Sequence, residues 1–157
     1  MVEAHVNLGN LLSDLGKLDE AAAAYRRASE IEPDSAAAHY NLGNALKALH
    51  RPDEAIASYR QALALKPGFA DAHNNLGNAL QMQERLDDAV AQYRQALALR
   101  PDFADAWNNL GNALQDRGET AEAEAAFRRA LALDARHFKA RFNLALALQA
   151  QGRHDAA

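Results

Sequence analysis

Residues 62–80 read ALALKPGFADAHNNLGNAL, from Ala62 to Leu80, and closely related text stands one step earlier and one step later. The centre of the stretch, Asn75-Leu76-Gly77-Asn78, recurs at Asn7, Asn41 and Asn109, and as Asn-Leu-Ala-Leu at Asn143. Each step is 34 residues with no insertion. Other columns keep the same register: Tyr25, Tyr59, Tyr93 and Phe127; Ala28, Ala62, Ala96 and Ala130; Pro33, Pro67 and Pro101. Self-similarity at a fixed period marks an array of stacked units. The units are expected over 2–35, 36–69, 70–103 and 104–137, with 138–157 a partial fifth unit or a capping helix.

Each unit predicts two helices. In the second, Ala38, Leu42, Ala45, Leu46 and Leu49 have the three-and-four spacing of an apolar stripe. A break at His50-Arg51-Pro52-Asp53 follows, and Pro52 suits the first turn of a helix. Ala55, Ile56, Tyr59, Ala62 and Leu63 then form a second stripe, ending before Pro67. The other units break at Gly16, Glu84 and Gly118, with Asp19, Asp87 and Thr120 placed as N-caps. Gly9, Gly43, Gly77 and Gly111 fall in mid-helix, where Gly costs about 1 kcal/mol relative to Ala. The predicted reason is close approach of the paired helix through its Ala columns (Ala21, Ala55, Ala89, Ala123 and Ala28, Ala62, Ala96, Ala130). The Tyr/Phe column would fill the space beside that contact.

Composition agrees with an all-α chain. Of 157 residues, 38 are Ala and 22 are Leu, both strong helix formers. Aromatic content of 6% suits thin layers of helices better than one thick core. A net charge of −4 argues against a nucleic-acid binder working through a basic surface. Without Cys there is no disulfide, thiolate metal site or Cys nucleophile. No apolar run approaches the roughly 20 residues that cross a bilayer, and no secretion signal is visible, so a cytoplasmic protein away from membranes is expected.

The 34-residue step, mid-helix Gly, paired Ala columns, aromatic column and closing Pro resemble the tetratricopeptide repeat along the whole chain. That resemblance implies a right-handed superhelical solenoid of antiparallel helix pairs whose first helices line a concave groove. Departures are mild. His5, His39 and His73 stand where the family has an early Trp, kept only at Trp107; Leu12, Leu46, Leu80 and Leu114 replace a common aromatic; Ala135 replaces the closing Pro. The Asn-rich text also looks like the repeat region of O-GlcNAc transferases, in which an array presents substrates to a separate catalytic domain.

All eleven Asn residues lie in the first helices. Asn7, Asn41, Asn75, Asn109 and Asn143 form one column; Asn10, Asn44, Asn78 and Asn112 form another three residues on; Asn74 and Asn108 sit beside them. Asn is a mediocre helix former, so propensity does not explain the concentration. Residues three apart share a helix face, and this one lies opposite the apolar stripe. An amide matches a peptide bond's C=O and N–H, so the ladder, with Tyr40, could hold an extended peptide by its backbone. It could equally brace neighbouring repeats, and the residues alone leave both readings open. The surrounding Glu3, Asp71, Asp105, Asp14 and Asp116 favour a polar or basic segment. Chaperone-binding relatives grip a C-terminal carboxylate with Lys and Arg, but Val6, Tyr40, Asn74, Asn108 and Phe142 precede the first Asn column here, without a Lys.

No catalytic, cofactor or metal site is expected. His5, His39 and His73 sit one repeat apart, too far to share an ion, and read as packing residues. His50, His137 and His154 fall in turns without a recurring ligand spacing. Asp19–Glu20, Asp53–Glu54 and Asp87–Asp88 complement helix dipoles. The chain therefore reads as a non-catalytic scaffold for a protein or peptide, with self-association through the array ends as a further expectation. Gly152, Asp155 and Ala156 keep the register of an ordinary unit, so a longer array is expected, with Leu144 and Leu148 as an exposed edge.

Overall fold

The computed structural model describes residues 2–150 and 152. His154, Asp155, Ala156 and most of the second half of the fifth unit lie outside them. Among the described residues there are nine helices and no strand: α1 (Val2–Asp14), α2 (Leu18–Ile31), α3 (Ala36–Ala48), α4 (Pro52–Leu65), α5 (Ala70–Gln81), α6 (Leu86–Leu99), α7 (Ala104–Asp116), α8 (Thr120–Leu133) and α9 (Phe138–Ala150). The odd-numbered helices start 34 residues apart. Each helix packs on its chain neighbours, and α3, α5, α7 and α9 also touch in succession. The result is a tetratricopeptide-type solenoid with the odd-numbered helices on the inside of the bend and the even-numbered ones outside.

The mid-helix glycines admit more than close helix approach. A Cβ built on Gly43 would lie 2.6 Å from the Tyr59 ring, and on Gly77 2.6 Å from the Tyr93 ring. Gly9 against Tyr25 and Gly111 against Phe127 repeat the contact. The aromatic ring therefore presses on the glycine itself, not beside it, which corrects the sequence reading. Both Ala columns are fully buried between the helices.

The turns within each pair share one construction. Gly16, His50, Glu84 and Gly118 all adopt positive φ, and the following N–H of Lys17, Arg51, Arg85 and Glu119 donates back to Leu12, Leu46, Leu80 and Leu114. This six-to-one bond satisfies a carbonyl that the helix end leaves unpaired. It also places the helix starts differently from the sequence expectation. Lys17, Arg85 and Glu119 hold the N-cap positions, with no side-chain cap bond. Asp19 and Asp87 lie inside the first turn and Thr120 is the first helical residue. Once the preceding turn is closed by backbone, a capping side chain is not required there. Between pairs, Ser35 does cap α3 by accepting from the Ala38 N–H.

At the far end the expected edge is inverted. Leu148 is fully buried and Leu144 half-buried, because both fall on the stripe that packs α9 onto α8. Phe138, Phe142 and Leu146 are the exposed residues of α9, at 73%, 63% and 42%.

Candidate functional site

The candidate site is the Asn face of α1, α3, α5, α7 and α9, and the structure divides its residues into two groups. One group is spent inside the array. Asn75 Nδ2 donates to Asn44 Oδ1 at 2.9 Å and to the Tyr40 hydroxyl at 3.0 Å, joining α5 to α3. Asn109 Nδ2 donates to Asn74 Oδ1 at 3.0 Å, joining α7 to α5. Asn143 Nδ2 donates to Asn108 Oδ1 at 3.0 Å and Asn112 Oδ1 at 2.8 Å, joining α9 to α7. Asn74 and Asn108 are only 6% and 3% exposed, so they are seams between first helices. Tyr40 is half-buried, its ring centre 4.6 Å from that of Phe69 and tilted 40° to it, and burial holds its hydroxyl above the usual phenol range.

The other group keeps hydrogen-bonding capacity. Tyr25, Tyr59 and Tyr93 each donate to the second-column amide fifteen residues earlier, Asn10, Asn44 and Asn78, at 2.8 Å. The hydroxyl thus anchors the amide oxygen to the paired helix, and in Asn10 it leaves the NH2 as the outward resource. Asn112 faces Phe127, which has no hydroxyl, and its oxygen accepts from Asn143 instead. The NH2 groups of Asn10 and Asn112 donate to nothing among the described residues, whereas that of Asn44 serves the Tyr40 hydroxyl; the Asn7 and Asn41 amides form no hydrogen bond there. Asn7 and Asn10 are exposed, and Asn41, Asn44 and Asn112 are half-exposed. Asn78 is intermediate in role, donating to Asn75 Oδ1 at 3.4 Å.

Charged groups complete the face. Lys47 Nζ lies 3.5 Å from Asn75 Oδ1, and burial lowers its pKa. Gln81 Nε2 donates to Asp116 at 2.7 Å across neighbouring repeats, and Arg100 pairs with Asp71 at 2.6 Å while stacking on Phe103. Lys47, Asn78, Gln81, Met82 and Asp116 line one hollow, and Asn109, Asn112, Phe138, Lys139 and Phe142 another.

Sequence reasoning missed one recurring contact. His39, His73 and Trp107 each donate a ring N–H to the carbonyl of Pro33, Pro67 and Pro101, six residues earlier, at 2.9–3.0 Å. Arg141 reaches the Ala135 carbonyl in the same way. The clue was available: His, Trp and Arg all carry an N–H, which Phe, the apolar alternative, lacks. These histidines are therefore turn braces. His137 Nε2 lies 3.0 Å from Asp105, and its Nδ1 accepts from the Ala140 N–H. Among the described residues no three His, Asp or Glu side chains converge as metal ligands, and no helix is long and apolar enough to cross a membrane.

A family profile described as TPR repeat matches residues 9–49, 51–84 and 82–118, and profiles described as tetratricopeptide repeat match 104–137 and 139–157. No curated protein sequence matches the chain. Among solved structures, MamA is 26% identical, with a TM-score of 0.86 over 94% of this chain and 86% of its own. PilF of Pseudomonas aeruginosa is 28% identical, with a TM-score of 0.87 over 96% of this chain and 69% of its own. YrrB, described as a TPR protein with an unusual peptide-binding site, is 26% identical, with a TM-score of 0.78 over 96% of this chain and 78% of its own. Nothing in these matches links the chain to O-GlcNAc transferases.

Proposed function

The chain belongs to the tetratricopeptide repeat family, and from that premise we propose that it is a non-catalytic scaffold whose inner face takes an extended peptide or a partner protein. The observation that carries this reading is the pair of NH2 groups on Asn10 and Asn112. Each has its oxygen tied down within the array and its nitrogen left without an acceptor among the described residues. Such groups are pre-oriented donors for peptide carbonyls, and pre-orientation lowers the entropy lost on binding. A structural relative described as peptide-binding supports the same use of the fold.

The test replaces Asn10 and Asn112 together with Asp, which keeps the anchored oxygen and removes the donor. Binding to an array of immobilised polar 12-residue peptides is compared with the parent chain at low and high salt. Loss of binding at both salt concentrations supports donation to peptide carbonyls. Full recovery at high salt attributes the loss to added charge, and unchanged binding removes these residues from the site. Asn75→Ala and Asn109→Ala serve as contrasts: each breaks a bond between repeats and should cost about 1 kcal/mol of stability.

A second reading, self-association through the ends, is favoured by the exposed Phe138, Phe142 and Leu146 of α9 and the exposed Leu8, Leu11 and Leu15 of α1.

A further inference from the structure

On the outer side of the array, one place recurs between successive even-numbered helices and is filled differently each time. In α4 it holds Ser58, buried, with its hydroxyl donating to the Glu54 carbonyl. In α6 it holds Gln92, whose side-chain amide lies 2.8 Å from His73 Nδ1. In α8 the same position is Ala126, which has no polar group to extend across the space. A hollow of about 570 Å³ opens there between α6, α7 and α8. Leu97, Leu110 and Leu114 line it, and Trp107 stands at its wall, held by its N–H bond to the Pro101 carbonyl. Three charged residues complete the lining. Arg94 and Glu122 neutralise each other at 3.1 Å, whereas Arg129 forms no ion pair among the described residues.

We propose that this hollow is a binding pocket for a small aromatic or aliphatic anion, its apolar body against Trp107 and the leucines and its charge toward Arg129. The size falls within the range of about 300–1,000 Å³ typical of small-molecule sites, and so does the chemistry, an apolar lining with few charges. Net positive charge at the rim selects an anion over a cation. The counterpart one repeat earlier is taken up by Gln92 reaching His73, whereas Ala126 leaves the space open. It lies on the face away from the Asn groups and is independent of peptide binding there.

Trp107 is the only tryptophan in the chain, so its indole N–H gives a single resolved reporter in a nitrogen–proton NMR spectrum. The probe is naphthalene-2-carboxylate, with neutral 2-naphthylmethanol as its uncharged counterpart. Addition of the carboxylate should move the Trp107 indole signal saturably. Arg129→Gln should weaken the carboxylate up to about fivefold, the range of an exposed ion pair, while leaving the alcohol unchanged. Ala126→Gln copies α6 and should abolish the shift. Ala126→Met fills the same space without burying an amide and should abolish it too, which keeps the test open where the Ala126→Gln chain folds poorly. A thermal melt confirms that each variant is folded. The proposal is overturned by an indole signal that does not move, by equal binding to Ala126→Met, or by shifts confined to α9 near Phe138 and Phe142.

Discussion

Gly77 and Tyr93 meet so closely that one methyl group separates a good fit from a clash. The ring is fully buried, and its hydroxyl is tied to Asn78 and Gln81, so it has nowhere to retreat. Gly77→Ala gains about 1 kcal/mol of helix propensity but overpacks a rigid site, which costs about 1–3 kcal/mol. A contact of 2.6 Å belongs at the upper end of that range. The expected net loss is about 1–2 kcal/mol, read from a urea midpoint; Gly68→Ala, with open space around it, should show no loss. The same burial has a pH consequence. Desolvation holds Tyr59 and Tyr93 well above the ordinary phenol value of 10.0. The folded state therefore keeps protons that the unfolded chain releases, so stability is intact below pH 10 and declines as pH rises beyond it. Ultraviolet titration should show these two phenols ionising only as the array unfolds; their ionisation near pH 10 in the native protein would contradict the packing.

At the scale of the element, the turns separate backbone demand from residue choice. His50 and Glu84 adopt φ of 55° and 58°, where Gly16 and Gly118 stand in the other pairs. A side chain in that region costs about 1 kcal/mol, partly offset by the greater freedom Gly has when unfolded. His50→Gly and Glu84→Gly should each raise stability by about 0.5–1 kcal/mol. A loss from either change would mean that its side chain makes a contact worth more than the strain. Periodicity made these elements legible, because a column of Ala or Leu at a constant step reports which face is buried. It could not show the correct helix starts, since a turn closed by backbone leaves no side-chain signature. Nor could it sort the Asn face. Spacing shows that Asn41 and Asn75 share a column, but not that Asn75 reaches back to Asn44 while Asn41 makes no bond among the described residues. That difference arises between neighbouring units, and a repeat reads alike wherever it stands in the array.

Across the described residues, each pair covers part of its neighbours, so the first and last described helices carry the more exposed apolar surfaces. In α7 the positions equivalent to Phe142 and Leu146 are Asn108 and Asn112, and both accept from Asn143 of the next first helix. On α9 they are apolar and exposed, with Phe138 extending the stripe. At the other end, Leu8, Leu11 and Leu15 of α1 are exposed, and Leu8 lies in the column of Leu42, Leu76 and Leu110, which are buried against the preceding pair. Two different apolar surfaces at opposite ends favour head-to-tail contact, which generates open chains of copies in place of closed dimers. Sedimentation velocity across a hundredfold range of concentration should therefore show an average mass that keeps rising. Phe142→Asn with Leu146→Asn restores the polar residues of α7 and should hold the protein monomeric, with its melting temperature preserved because neither side chain is buried. Leu11→Gln on α1 should act at the opposite surface, and an equimolar mixture of the two variants should stop at dimers, since each keeps one intact end. Association that survives both changes would place the contact elsewhere, and a plateau at dimer for the parent chain would replace head-to-tail growth with a symmetric interface.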